Sequence, residues 1–243
     1  MIALIDGDIL LYTIAYQCER EIDWGDDLWT MHSDFNEAKQ RVDLDIMEFR
    51  TMLGCRSVRV ALSSPTNFRK KIWSEYKENR KGQRKPLCYR PLRQYVLEVW
   101  EAKIVPDLEA DDLLGMWSTE SPGKRVIVSA DKDLKTIPGL VYNPRKPDLG
   151  IYEVSPGEAD RQHLMQTLTG DRTDGYPGCP GIGDKRAEAI AEGGWPAVVE
   201  AYAKAGFDEQ YAIAQARLAR ILRHGDYKRR KVRLWDPQVQ GAA

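Results

Sequence analysis

Carboxylates recur at the ends of apolar runs in this chain: Asp6 and Asp8, then Glu109, Asp111 and Asp112, then Asp131 and Asp133, then Asp171 and Asp174. Several of them follow segments that read as buried strands, such as Met1 to Ile5 and Arg125 to Val128. If those strands lie side by side in a parallel sheet, their carboxyl ends bring the acids to one place, where such sheets bind ligands. Gathered carboxylates repel: two unit charges about 4 Å apart cost about 4 kcal/mol at an effective dielectric near 20. A hard divalent cation, Mg²⁺ or Mn²⁺, relieves that repulsion through oxygen ligands of this kind. Two such ions about 4 Å apart could clamp the attacking and leaving oxygens of a phosphodiester. Singly, each acid has a plainer reading: Asp8 or Asp112 as a helix cap, Asp131 as the closer of a turn. No serine, cysteine or histidine triad is evident.

A second group is basic. Ten lysines and arginines against two acids fall between Phe68 and Arg93, interleaved with Trp73, Tyr76 and Tyr89. A charge run is often a solvated face, but bases beside aromatics also suit a surface that tracks phosphates and stacks bases. Helical spacing from Phe68 to Lys81 predicts a helix. Lys77, Arg80, Lys81 and Arg84 would share one face if it continues and could hold a phosphate above the metals. A third group is Gly181-Ile182-Gly183, just ahead of a predicted helix and followed by Lys185 and Arg186. Free amides at a helix N-terminus meet phosphates, although the same turn also serves as a plain link between helices.

The elements that must position these groups alternate. Strands are predicted at Met1 to Ile5, Val58 to Leu62, Lys103 to Val105, Arg125 to Ser129 and Leu140 to Asn143. Helices are predicted from Ile9, from Asp34 to near Gly54 (Asp34 and Glu37 read as a capping box), over Leu92 to Ala102 and from Glu109. Glu19 to Thr30 reads as a hairpin or loop. This pattern predicts an α/β fold with a mostly parallel sheet covered on both faces. After Tyr152 the texture becomes helical: Pro156 to Thr169, Asp184 to Glu192, Pro196 to Lys204 and Asp208 to His224, with a glycine- and proline-rich loop from Gly170 to Gly183 and a short strand-like run at Lys231 to Trp235.

Composition adds exclusions. Hydrophobic residues make up 42 % of the 243 and charged ones 30 %, with a net charge of −1, as in an ordinary globular protein. No run approaches the roughly 18 apolar residues of a membrane span, and no signal-type leader opens the chain. The four cysteines form no CxxC pair and the three histidines no HxxxH, so neither zinc nor a disulfide framework is indicated. A reducing, cytoplasmic setting is expected.

The order IDGD, NFRKKIWSEYKENRK, EADDLLG, SADKDLKTI and GDRTDGYPGCPGIGDKRA resembles the 5′-nuclease superfamily of flap endonucleases and 5′→3′ exonucleases, from residue 1 to about 190. The resemblance implies a PIN-like catalytic domain over 1–154, with a basic gateway or arch near 68–93. It also implies a DNA-binding module over 155–243, with a helix-3-turn-helix near 156–192. It further implies hydrolysis of DNA near a free or flapped 5′ end by two Mg²⁺ or Mn²⁺ ions, in a monomer resembling stand-alone phage exonucleases. By the same resemblance Asp6, Glu109, Asp111, Asp131, Asp133 and Asp174 bind metal, and Asp112 and Asp171 act on it through water. Lys77 and Arg80 are the catalytic pair, working with Asp6, Asp111 and Asp131. Tyr76 stacks a terminal base. Lys81, Arg84, Lys185 and Arg186 touch DNA, and Gly181-Ile182-Gly183 holds a phosphate, with K⁺ nearby. One position departs: Ser63 stands where many members carry an aspartate after the second strand. Two other readings are a catalytically weak DNA-binding protein and a haloacid-dehalogenase-type phosphatase with Asp6 as nucleophile and Asp8 as acid/base. The first rests on Ser63, the second on the Asp6–Asp8 spacing.

Overall fold

In a computed structural model, which describes residues 1–240, strand β1 (Ile2–Asp6) runs straight into helix α1 (Gly7–Gln17). The acidic stretch after it is an antiparallel hairpin, β2 (Glu19–Asp23) and β3 (Trp29–Ser33). Asp34 accepts the amides of Asn36 and Glu37 and so caps α2 (Phe35–Met52). β4 (Ser57–Ala61), α3 (Tyr89–Val99), α4 (Ala110–Glu120), β5 (Arg125–Val128), β6 (Gly139–Tyr142) and β7 (Ile151–Val154) follow. The strand expected at Lys103 to Val105 is reduced to one bridge between Lys103 and Ala61.

The central sheet has the order β4-β1-β5-β6-β7, parallel except for β7, which runs antiparallel to β6. Asp6 lies opposite Ala61, and Ile5 opposite Val128, so β4, β1 and β5 end nearly level. Alternation along the strands sorts the core. Ala3, Ile5, Val126 and Val128 pack with α1, α2 and α3, whereas Leu4 and Ile127 pack on the other side with α4. The fold is therefore α/β, with a mostly parallel sheet covered on both faces. β1, the first strand, has β4 on one flank and β5 on the other, and the crevice at such a reversal is where open sheets bind ligands.

Beyond Val154, Ser155 and Glu158 cap α5 (Pro156–Thr169) reciprocally. α6 (Asp184–Ala191), α7 (Gly194–Lys204) and α8 (Glu209–Ala219) share a core of Leu168, Cys179, Ala187, Val198, Tyr202 and Ala212. The helix expected to reach His224 stops at Ala219. Arg220 is extended, and Ile221 and Leu222 drop back into the α4 side of the sheet core. Gly115 makes room for this return: a Cβ there would lie 2.3 Å from the Leu222 carbonyl oxygen. A two-residue hairpin, β8 (Tyr227–Lys228) and β9 (Lys231–Val232), and a last helical turn, α9 (Pro237–Gln240), end the described chain. Residues 241–243, counted in the expected helical module, lie outside it.

The helix predicted from Phe68 to Lys81 does not form. The segment makes two short 3₁₀ turns, Phe68–Lys71 and Glu78–Arg80, with Lys77 between them in the left-handed region at φ 56°. Tertiary bonds break the spiral: the Lys77 amide donates to the Asp174 carbonyl at 2.8 Å, while Tyr76 is buried beside Tyr176, Leu218 and Ala219. Lys77, Arg80, Lys81 and Arg84 consequently share no helix face.

Candidate active site

Asp6 ends β1, and its carboxylate caps α1 through the Ile9 amide at 3.1 Å, the role expected of Asp8. Its other oxygen accepts from the Ser129 hydroxyl at 2.7 Å, tying the ends of β1 and β5 together. The same Ser129 hydroxyl accepts the Asp131 amide, and Asp131 accepts the Asp133 amide at 2.8 Å, so the post-β5 turn is built around its own acids. Asp111 projects from the first turn of α4, where a negative side chain is favoured by the helix dipole. Burial, reinforced by Asp8 and Asp131, pushes the Asp6 carboxyl up to about 7 despite its hydrogen bond from Ser129. Burial also raises Asp111 well above the usual carboxylate range, with Asp6, Asp131 and Glu109 adding to the shift. Asp133 is pushed up to about 7 by burial and then by Asp131 and Asp171. In all three, burial is the main cause and the neighbouring carboxylates add to it.

Glu109 and Asp174 form the other half of the constellation and have cations on them. Lys77 Nζ pairs with Glu109 and lies 3.4 Å from Asp174, while Arg80 donates to Asp174 at 2.6 Å. Burial raises the Glu109 carboxyl, but Lys77 and Arg69 outweigh it and hold the group down to about 2. Burial also raises Asp174, against the pull of Lys77 and Arg80. Asp171 accepts the amides of Thr173 and Asp174 and so shapes the loop that carries Asp174. Asn79 and Arg80 donate to the carbonyls of that loop, which docks the gateway segment onto it.

Several expected residues stand elsewhere. Tyr76 is only 2 % exposed, so it presents no face to a base; its hydroxyl bridges Glu109 at 2.9 Å and Asp174 at 2.8 Å. Asp112 is fully buried and holds Arg69 through both oxygens at 2.8 and 2.9 Å, while also accepting the Glu109 and Leu222 amides. With both oxygens accepting two bonds each, it braces the start of α4. Lys81 pairs with Glu78, and Arg84 grips Glu19 at 2.6 and 2.8 Å, away from the acids. Gly181, Gly183, Lys185 and Arg186 are exposed around the N-terminus of α6, and no side chain caps it.

Ser63 takes a local role: its hydroxyl accepts the Ala110 amide at 2.9 Å, steadying the start of α4. Its own amide donates to Asp8 at 2.9 Å. Asp8 is thus beside the position where an acid was expected, but Arg93 and Tyr89 also hold it. A carboxylate restrained by these three partners is not poised as the acid/base of a phosphatase. Residues that sequence reasoning passed over are Arg69, Ser129 and Arg93. Arg69 is hidden inside a basic run in which nothing local separates it from its neighbours.

Among the described residues, no group of three acids, histidines or cysteines is set to hold a metal as it stands. Glu109 and Asp174 are instead paired with Lys77 and Arg80. The donor chemistry nevertheless fits a hard divalent ion: the acids are oxygen ligands, and four of them have carboxyl groups raised by burial and charge crowding, Asp174 among them.

The family described as 5′-3′ exonuclease, N-terminal resolvase-like domain, matches residues 1–141. The chain belongs to that family. It is therefore a nuclease, a hydrolase of phosphodiesters. The exodeoxyribonuclease of Enterobacteria phage T3 is 30 % identical over 98 % of this chain and 93 % of its own length. The exonuclease of Escherichia phage T7 is 29 % identical over 97 % and 93 %. The phage T5 flap endonuclease, solved with DNA and metal ions, shares the fold at a TM-score of 0.63 and 13 % identity, over 90 % of this nuclease and 88 % of that chain. Among the described residues no helix is long and apolar enough to cross a membrane.

Proposed function

We propose that this nuclease is a divalent-metal-dependent 5′→3′ exonuclease and 5′ flap endonuclease of DNA. The observation that carries the reading is the pairing of Lys77 with Glu109 and of Lys77 and Arg80 with Asp174, next to a buried Asp111 that Asp6, Asp131 and Glu109 all crowd. Asp6, Asp111 and Asp131 would hold the metal, with Asp133, Glu109 and Asp174 completing two sites of Mg²⁺ or Mn²⁺. Asp171 would act through water. When bound, such ions polarise the phosphodiester and make water a better nucleophile at neutral pH. Lys77 and Arg80 would leave Glu109 and Asp174 for the phosphate oxygens and offset the charge that develops there. Tyr76 and Arg69 would keep Glu109 in place through this exchange.

Residues 1–154 would form the catalytic domain and 155–243 a DNA-binding module. α5, the Gly170–Gly183 loop and α6 would act as its helix-3-turn-helix. The turn Gly181-Ile182-Gly183, whose two glycines are exposed while the Ile182 amide is held by the Cys179 carbonyl, would with Lys185 and Arg186 grip the duplex backbone, with K⁺ at the turn. The protein would act as a monomer, in the cytoplasm of the cell that makes it. Incubation with 5′-labelled duplex and Mg²⁺ should release short labelled products, EDTA should abolish them, and added Mg²⁺ should restore them. Absence of product with every divalent metal would overturn the reading.

A further inference from the structure

Five of the six residues from Lys228 to Arg233 are basic, no acid falls between Tyr227 and Trp235, and the chemistry above uses none of them. Lys228, Arg229, Arg230, Lys231 and Arg233 are all exposed. Among the described residues only Arg233 of the five is ion-paired, with Asp226 at 3.1 Å. The hairpin pairs Tyr227 with Val232 and Lys228 with Lys231, which leaves Arg229 and Arg230 as its two-residue loop. Both loop residues lie in the left-handed region, at φ 52° and 62°. Positive φ at both central positions is the mark of a type I′ turn, whose favoured occupants are Asn and Gly. Arginine at these positions strains the backbone, and strain of this kind collects where a chain meets its ligand. The chain thus holds two guanidiniums at the tip against its local preference.

The hairpin stands away from the acids. Tyr227 and Val232 seat it on the α4 side of the sheet core. The His224 amide donates to the Thr119 hydroxyl at 2.7 Å, so the chain enters the hairpin from the last turn of α4. Glu109 and Asp111 lie at the first turn of that helix, roughly 15 Å away at about 1.5 Å per residue. B-form DNA presents one charge per about 1.7 Å of its axis, and the four residues of a β-turn fall within about 7 Å. Four cations from Lys228 to Lys231 therefore match the phosphate density of a duplex. Tyr227 is half-buried and Trp235 buried, so the tip lacks the aromatic platform on which single strands stack. We propose that the β8–β9 turn is a second, sequence-independent contact for the backbone of duplex DNA, additional to the grip at the turn before α6. It rests on the nuclease reading above, and its test reads binding rather than cleavage.

A fluorescein-labelled blunt duplex, titrated in EDTA across a KCl series and followed by anisotropy, supplies that test. Wild type is compared with the double variants Arg229→Asn/Arg230→Gly, which removes the charge, and Arg229→Lys/Arg230→Lys, which keeps it. Each phosphate contact contributes about 0.9 to the slope of log K against log [KCl], so removing the charge should reduce the slope by about 2. The same variant should bind the duplex at least several-fold more weakly and yet unfold at a higher temperature, because its loop suits the turn. The charge-keeping variant should retain the wild-type slope. An unchanged slope in the charge-removing variant, or a charge-keeping variant that binds as weakly, would overturn the proposal. So would a larger loss on a single strand of the same sequence than on the duplex. If no divalent metal supports cleavage by the wild type, the nuclease reading falls, and the slopes still decide the hairpin.

Discussion

Arg69 grips Asp112 with both terminal nitrogens, at 2.8 and 2.9 Å, in an interior where the Arg69 side chain is 3 % exposed and that of Asp112 not at all. The same guanidinium reaches Glu109 at 3.3 Å and the carbonyls of Leu218 and Arg220 at 3.1 and 2.6 Å. It joins the gateway segment, the start of α4 and the returning chain after α8. Breaking a buried pair of this kind by removing one partner costs about 3–5 kcal/mol, because the other charge is left uncompensated. Arg69→Ala should therefore lower the unfolding free energy measured in urea by an amount of that order, moving the midpoint down with it. A midpoint within experimental error of wild type would refute this placement.

Lys77 and Lys81 are four residues apart and differ in surroundings: Lys77 faces Glu109 and Asp174, while Lys81 pairs only with exposed Glu78. Removing a group that stabilises transition-state charge lowers kcat about 10²- to 10³-fold. Lys77→Ala should show a loss in that range on 5′-labelled duplex, and Lys81→Ala should stay within a few-fold of wild type. Equal losses for the two would support the single-face helix that the structure lacks.

Gly170 is the hinge of the loop bearing Asp171 and Asp174. Its φ is 66° and ψ −173°, a region open essentially to glycine alone, and a Cβ would lie 2.4 Å from the Pro177 carbonyl carbon and 2.5 Å from the Gly178 nitrogen. Gly170→Ala should cost at least about 1–3 kcal/mol from backbone strain and should displace Asp174 as well. Thermal unfolding together with kcat measures both effects; a variant that keeps both at wild-type values would contradict the geometry.

His163 sets an acid limit. Burial, helped by Arg220 and Arg223, lowers its pKa to about 3, while its Nε2 lies 2.8 Å from the Ala216 carbonyl. Its unfolded value is about 6.5. The neutral form is the one that folds, so its contribution is intact above about pH 6.5 and is lost progressively as pH falls toward 3. The slope approaches about 1.4 kcal/mol per pH unit. Unfolding free energy measured from pH 7 to 4 should fall, and His163→Gln should flatten that fall. An unchanged pH slope in the variant would assign acid sensitivity to other groups.

Strand ends and their acids were readable from sequence because each depends on neighbours in the chain: an apolar run, then Asp6, or Asp131 and Asp133 in one turn. The gateway was not. Its conformation is set by bonds to partners 32 to 98 residues away, Lys77 to Glu109 and Tyr76 to Asp174 among them. Helical spacing cannot register such partners. Tyr76 illustrates the problem, since an aromatic among lysines reads the same whether it faces solvent or, as here, lies beneath Tyr176, Leu218 and Ala219. The end of α8 was misjudged for a similar reason: Leu222 leaves the helix to donate its amide to Asp112, 110 residues earlier.

That return of Leu222 to Asp112 also orders events in time. A nascent chain that has reached the end of β7 holds every strand of the central sheet and most of the acids. It lacks the Leu218 and Arg220 carbonyls that complete the shell of Arg69. Closing contacts across about 150 positions is slow and comes late in folding. The carboxylates of α4 are thus braced only after residues 218–222 have been made, so a shorter ribosome-bound fragment carries acids of a nuclease before it has the frame that aligns them.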